Sequence, residues 1–123
     1  MLKSMLVVGA GSFVGGMLRY LISLFAKSAC GVAFPWGTLA VNLIGSFVIG
    51  LVYALFARYG SVSHPACLLL ATGVCGGFTT FSAFANEGVL MLHNGHIWAF
   101  VCYALTSVVA GVALVALGYW IVK

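Results

Sequence analysis

Uncharged polar side chains lie inside long apolar stretches of the chain, where their hydrogen-bonding groups are the ones most able to do chemistry. Asn42 brings two amide donors and a carbonyl acceptor to one such stretch. Thr79, Thr80 and Ser82 bring hydroxyls to another. Polar groups within a hydrocarbon layer are costly and tend to mark function. Structural alternatives stay open, because Asn42 could bond a neighbouring helix for about 1 kcal/mol and hydroxyls can bond their own helix carbonyls.

Three phenylalanines accompany these hydroxyls at three-residue spacing, namely Phe78, Phe81 and Phe84. Such spacing puts the rings on one helical face, where they commonly face lipid or the core. The edge of an aromatic ring is the positive part of its quadrupole. Rings that present their edges could therefore favour an anion without a formal charge. Together with Asn42 and the hydroxyls they predict a path that is polar but uncharged.

Further candidate groups occur late in the chain and near its beginning. Tyr103 and Ser107 are four residues apart, so a helix would place them on one face. Glu87 is the sole acidic residue, and we expect it to pair with a basic group or to accept a hydrogen bond from a hydroxyl. Arg19 is expected to anchor the fold or to attract anions into a vestibule, rather than to line a pore.

The composition excludes several classes of function. Five scattered Lys and Arg residues form no patch that could follow a nucleic-acid backbone. The glycines near Thr79 are not followed by Gly-Lys-Ser/Thr, which excludes a phosphate-binding loop and a nucleotide. His93 and His96 have the spacing of metal ligands but lack carboxylate or thiolate neighbours, which argues against a metal site there. The sequence offers no nucleophile–base pair, so an enzyme is the least expected class of function.

The elements that must position these groups are transmembrane helices. The chain is 64% hydrophobic and 5% charged, whereas a soluble domain carries roughly 25% charged residues. A helix needs about 20 apolar residues to cross a bilayer. We predict an all-α membrane protein with one domain over 1–123 and four transmembrane helices, the second capped by Thr38. The predicted spans are about 2–25, 37–58, 66–92 and 97–122.

The third span is predicted to be broken near its middle. Gly76 and Gly77 precede Thr79 and Thr80, and this is poor material for a continuous helix. Residue 79 is the midpoint of 66–92, so the break would lie near the bilayer midplane. A break in a membrane is tolerated where protein, water or an ion satisfies the freed backbone groups, and broken helices at the midplane recur in ion-handling proteins.

The charges give only a weak preference for one orientation in the membrane. With four spans, Lys3, Arg58 and Lys123 share one side, while Lys27 lies on the other, joined by Arg19 if its side chain extends that way. An imbalance this small is a weak positive-inside signal. The chain could therefore insert in both orientations.

Taken together, three motifs resemble the fluoride ion channel family (Fluc, also written CrcB), over nearly the whole chain. They are GGMLRY at 15–20, GTLAVNLIG at 37–45 and GVCGGFTTFSAF at 73–84. The resemblance implies a passive channel through which fluoride leaves the cytoplasm. It also implies an antiparallel (dual-topology) homodimer with two pores, in the inner (plasma) membrane of a bacterium.

The resemblance further implies roles for individual residues. Those expected along the fluoride pathway, with the neighbouring hydroxyls included, are Asn42, Thr80, Phe81, Ser82, Phe84, Tyr103 and Ser107. The backbone carbonyls of Gly76 and Thr79 match positions that hold a central, structural sodium ion. The family often has a further serine where this chain has Gly111, so one hydroxyl of the fourth-helix track is missing here.

Two other classes of function compete with a channel. A small multidrug exporter also has four spans, but it needs a carboxylate in the first helix, and here Glu87 lies in the third span. A non-transporting assembly subunit could pack through small residues such as Gly11 and Gly15. That alternative leaves the break near Thr79 unexplained.

Overall fold

The chain folds into long helices joined by short connections. The structure is a computed structural model, and it describes residues 1–31 and 34–122. Lys123, one of the charges weighed for orientation, lies outside the described residues. Helix α1 is Leu2–Cys30, α2 is Trp36–Tyr59, α4 is Phe81–His93 and α5 is Ile97–Val122. Helix α3 covers 65–78 in three consecutive pieces, which are Pro65–Cys67, a π-helical Leu68–Cys75, and Gly76–Phe78.

Four segments are long and apolar enough to cross a membrane, which confirms the predicted number of spans. They are Leu2–Cys30, Trp36–Tyr59, Pro65–His93 and Ile97–Val122. The first helix continues to Cys30, beyond the predicted end at residue 25. The second begins at Trp36 with Pro35 before it, because proline suits the start of a helix. The prediction that Thr38 caps this helix is wrong, since Thr38 lies inside it and is buried.

The third span is interrupted at Thr79 and Thr80, which join α3 to α4. Both residues have extended backbones, with φ −87° and ψ 157° at Thr79 and φ −152° and ψ 130° at Thr80. Gly76 and Gly77, by contrast, are helical. The interruption therefore follows the glycine pair by two residues, and the glycines are not where the helix breaks.

The glycines of α3 instead allow α1 to approach closely. A Cβ on Gly73 would stand 2.9 Å from the Cα of Gly11, and a Cβ on Gly77 would stand 2.7 Å from the carbonyl oxygen of Ser12. The Ser12 hydroxyl donates to the carbonyl of Gly73 at 3.4 Å. Small residues at such contacts let helix backbones pack in direct contact. Helix α5 meets α2 in the same way, through Gly118.

The interior of a single chain is small. One cluster of buried residues contains Leu39, Met91 and Tyr103, and another contains Val52, Cys67 and Ala71. Only 11% of the residues in the most apolar part of α1, and the same share in α5, are buried within the chain. Apolar surface on this scale must be covered by lipid or by another protein surface.

Candidate functional site

A groove of about 540 Å³ runs beside the interruption of the third span. Helices α2, α3, α4 and α5 all contribute to its walls. Seven of the residues singled out from the sequence meet there, although they come from three distant parts of the chain. They are Asn42, Gly76, Thr79, Thr80, Phe81, Phe84 and Ser107.

Asn42 spans the interruption by binding both backbone groups of Thr80. Its Oδ1 accepts from the amide of Thr80 at 2.8 Å, and its Nδ2 donates to the carbonyl of Thr80 at 3.1 Å. The side chain thus forms the kind of interhelical bond weighed from the sequence, directed at backbone and not at another side chain. One of the two amide hydrogens on Nδ2 is left without a partner at Thr80.

The carbonyls of Gly76 and Thr79 are among those that lose their ordinary helical donors at this point. In a continuous helix, the amide of Thr80 would bond the carbonyl of Gly76, and the amide of Ala83 would bond the carbonyl of Thr79. Here the amide of Thr80 bonds Asn42, and the amide of Ala83 bonds the Thr80 hydroxyl at 3.2 Å. The Thr80 hydroxyl is therefore the N-cap of α4. Side chains have taken the amides that Gly76 and Thr79 would otherwise receive.

The two predicted phenylalanines line one wall of the groove. The ring centroids of Phe81 and Phe84 are 5.7 Å apart with planes tilted by 43°. Phe81 is 78% exposed in the single chain, whereas Phe84 packs on Tyr103 with centroids 4.9 Å apart. Phe78 is buried in the core, so it does not join them along the groove.

Ser107 places an unused hydroxyl in the groove. Its Oγ is buried and has no hydrogen-bond partner among the described residues, so the alternative in which it bonds its own helix does not apply. Ser46 does follow that alternative, since its hydroxyl donates to the carbonyl of Asn42 at 2.7 Å. A Cβ on Gly111 would lie 3.6 Å from the Ser46 Oγ. Ser46 of α2 therefore places a hydroxyl beside Gly111, the position on α5 where a serine hydroxyl was expected and is missing.

A second cavity, of about 580 Å³, opens at the end of the molecule where α1 ends and α2 begins. We call this cavity the vestibule. Arg19, Lys27 and Glu87 all line it. The Nε of Arg19 also donates to the carbonyl of Gly77 at 3.4 Å. Arg19 is therefore attached to α3 and lines the vestibule, and it does not line the groove.

Tyr103 stands between the vestibule and the groove. Its ring contacts Phe34, which lines the vestibule, with centroids 5.4 Å apart, and it contacts Phe84, which lines the groove. The Tyr103 side chain is fully buried, and its hydroxyl lies 3.5 Å from Oε1 of Glu87. The sole acid of the chain thus accepts from a hydroxyl, which is one of the two expected alternatives.

The structure does not bring every predicted group to the groove. Ser82 is exposed, and its hydroxyl lies 3.2 Å from that of Thr80 without lining the groove. His93 and His96 are both exposed, and residues 1–31 and 34–122 contain no group of three His, Cys, Asp or Glu side chains that could hold a metal. The sequence reasoning missed Ser46 as a lining residue and Phe34 as a partner of Tyr103.

Comparison with known proteins gives a match over almost the whole chain. Residues 6–119 match the sequence model of the family described as "CrcB-like protein, Camphor Resistance (CrcB)". A protein of Leptospira interrogans serovar copenhageni named "Fluoride-specific ion channel FluC" is 43% identical over 121 residues, covering 98% of this chain and 95% of that protein. Proteins of the same name from Phocaeicola vulgatus and Chlorobium phaeobacteroides are 41% and 44% identical. Those matches cover 97% and 98% of this chain, and 98% and 93% of the two relatives.

Proposed function

The chain belongs to the CrcB-like family, and from this membership together with the groove we propose that it is a fluoride channel. Its relatives are named as ion channels, which are transport proteins and not enzymes. The finer proposal is a passive, fluoride-selective channel that lets cytoplasmic fluoride leave the cell. It would be a multi-pass protein of the bacterial inner membrane.

One observation supports this proposal above the others: the uncharged donors and two phenylalanine rings line one groove beside the interruption. Asn42 keeps an amide hydrogen there, Ser107 keeps its hydroxyl, and Phe81 and Phe84 form the adjoining wall. A small anion that leaves water needs hydrogen bonds to replace its hydration, and these groups can supply them. A lysine or arginine in the same place would hold any anion too long for rapid passage.

The exposed surface supports a homodimer. In a single chain the groove is open on one side, Phe81 is 78% exposed, and Gly76 is exposed as well. A second copy packed against this surface would close the groove and bury the phenylalanine. The weak charge bias permits the two copies to insert in opposite orientations, and one groove from each copy would give two pores in an antiparallel dimer.

The same interruption fits a structural sodium ion. The carbonyls of Gly76 and Thr79 have lost their ordinary amide donors to Asn42 and to the Thr80 hydroxyl. Carbonyl oxygens are the hard ligands that such a cation prefers. Two carbonyls from each of two copies would hold the ion at the centre of the dimer. When bound, it would add a positive potential close to the passing anion.

The direction of transport follows from the membrane potential. A cytoplasm that is negative by ~100 mV favours the exit of one monovalent anion by ~2.3 kcal/mol. Fluoride that enters as neutral HF and dissociates inside would thus leave through a passive pathway without ATP. The vestibule, with Arg19 and Lys27 on its wall, would collect anions before they reach the uncharged groove.

The proposal is tested by measuring fluoride release from liposomes that contain the purified protein. We expect a fluoride electrode to record release when a potential is imposed by potassium and valinomycin, and a chloride electrode to record none under the same conditions. Protein-free liposomes give the background. Well-folded protein that releases no fluoride, or that releases chloride equally fast, would contradict the proposal.

A further inference from the structure

Asn42 of α2 binds the backbone of the third span at its interruption, through the amide and the carbonyl of Thr80. We propose that Asn42 is a positioning residue, whose two bonds to Thr80 hold the interruption open and keep the carbonyl of Gly76 available to a cation. This inference rests on the proposed function for its cation, whereas the bonds to Thr80 are geometric and independent of transport. It gives Asn42 a second role, beyond that of a donor to the passing anion.

The pairing uses both ends of the Asn42 amide. Oδ1 meets the amide of Thr80 at 2.8 Å, and Nδ2 meets the carbonyl of Thr80 at 3.1 Å. Reversing the amide would place donor against donor and acceptor against acceptor, so Thr80 fixes its orientation. Aspartate would keep the acceptor and lose the donor, and leucine would fill a similar volume with neither.

Competition for one amide links this pairing to Gly76. The amide of Thr80 can satisfy either Oδ1 of Asn42 or the carbonyl of Gly76, and the second choice would continue the helix through Thr79. Because Asn42 takes it, the Gly76 carbonyl is released and Thr80 stays extended, with φ −152° and ψ 130°. Without Asn42, the Thr80 amide would have no acceptor while Thr80 is extended. It could regain one by returning to the carbonyl of Gly76, which would restore helical geometry.

Helix α2 is built to bring Asn42 this close. Gly45, one turn further along, is buried where a Cβ would overlap the methyl group of Thr79. Val41, the neighbour of Asn42, is fully buried as well. Both contacts hold α2 against the interruption, so the Asn42 side chain approaches Thr80 from a rigid element. The Ser46 hydroxyl bonds the Asn42 carbonyl at 2.7 Å and does not compete for the side-chain amide.

The test compares amide hydrogen exchange at Thr80 in wild type, Asn42→Leu and Asn42→Asp, by mass spectrometry of the protein in lipid nanodiscs. We expect exchange at Thr80 to be at least roughly tenfold faster in Asn42→Leu while Thr80 stays extended, the factor that corresponds to losing one buried hydrogen bond. In Asn42→Asp it should stay close to wild type, because aspartate keeps the oxygen that accepts from the Thr80 amide. Ser46→Ala is the matched control, because it alters the same groove and leaves both Asn42 bonds in place. Its exchange at Thr80 should equal that of wild type.

Two further readouts separate positioning from general destabilisation and from transport. Exchange at Gly73, in the α1–α3 contact, should stay at the wild-type rate in both Asn42 variants. The rise in unfolding temperature that sodium produces over N-methylglucamine in wild type should be reduced in Asn42→Leu. Unchanged exchange at Thr80 together with an unchanged sodium effect in Asn42→Leu, or an equal rise in exchange at Gly73, would overturn the inference.

The exchange experiment still tests the inference if Asn42→Leu does not fold or if the protein does not transport fluoride. Should Asn42→Leu not fold, Asn42→Ala takes its place, because alanine also lacks the acceptor, and the same results support or overturn the inference. Wild-type protein that releases no fluoride contradicts the proposed function, yet protection of the Thr80 amide by Asn42 would still support the pairing. Wild-type protein that gains no stability from sodium, while Thr80 is protected, removes the cation from the inference and overturns that part of it.

Discussion

Replacing Ser107 by alanine should separate the stability of the protein from its transport activity. The Ser107 Oγ is buried and has no partner among the described residues, and it faces the groove beside Asn42 and Thr80. A buried hydroxyl without a partner costs the folded state about 1–3 kcal/mol. Ser107→Ala removes that cost, so the free energy of unfolding should be unchanged or higher.

Transport should change in the opposite direction. A hydrogen bond to a charged partner contributes about 1.5–3 kcal/mol. If the Ser107 hydroxyl makes that bond where passage is slowest, its loss slows fluoride release by roughly 10- to 150-fold, at about 1.4 kcal/mol per factor of ten. Ser107→Thr keeps a hydroxyl on the same carbon and should retain most of the flux.

The assay combines fluoride release from liposomes with thermal unfolding of the same preparations. Thr106→Val is the matched control, because Thr106 is the next residue on α5 and its side chain is exposed outside the groove. It should leave fluoride release at the wild-type rate. Ser107→Ala protein that unfolds at a clearly lower temperature would show that the hydroxyl has a structural partner. Wild-type flux in Ser107→Ala would refute its assignment to the pathway.

Three other predictions follow from the groove and from helix packing. Phe81→Ile and Phe84→Ile should each slow fluoride release at least tenfold, because an aliphatic side chain has no ring edge. Each variant should elute at the wild-type volume in gel filtration, and wild-type flux in both would refute the role of the rings. Gly15→Ala should lower the free energy of unfolding by about 1–3 kcal/mol, since its methyl group would overlap the carbonyl of Val74. Gly16→Ala, which has open space around it, should be neutral or stabilising, and equal losses in the two variants would contradict the packing argument. Replacing sodium by N-methylglucamine should lower the unfolding temperature of wild type, and an unchanged temperature would argue against a structural sodium ion.

The sequence was most informative where apolar length and turn residues decide the structure. Four spans could be predicted from the apolar stretches together with the turn residues between them, and the turn before α5 was visible in Asn94 and Gly95, where Gly95 has a φ of 81°. The end of α1 was missed because Lys27 does not stop a helix in the way that proline or glycine does. The helix continues past it until Gly31, whose φ is 80°.

The interruption was predicted near Thr79, where it lies, but the part of the prediction that rested on the glycine pair was wrong. A glycine pair weakens a helix in isolation, yet Gly76 and Gly77 remain helical because α1 packs on this part of the third span. The extended backbone begins at Thr79, where side chains offer the amides better partners. Those partners include Asn42, 38 residues away from Thr80 in sequence. The helix propensity of neighbouring residues gives no information on a bond between residues this far apart in sequence, so the pairing of Asn42 with Thr80 could not be predicted.

In the proposed channel, the vestibule would attract anions by charge, and the groove would bind them by hydrogen bonds. The vestibule contains Arg19 and Lys27 together with one acid, Glu87, so its wall keeps a formal positive charge that would raise the local concentration of anions. Among the described residues, none that lines the groove is a Lys or Arg, so an ion there would be held by dipoles that act at short range. In the proposed channel, discrimination between anions would then arise in the groove, where the fit to Asn42, Ser107 and the phenylalanine rings would depend on ionic size. A substitution that adds a charge to the groove should therefore reduce selectivity more than it increases binding.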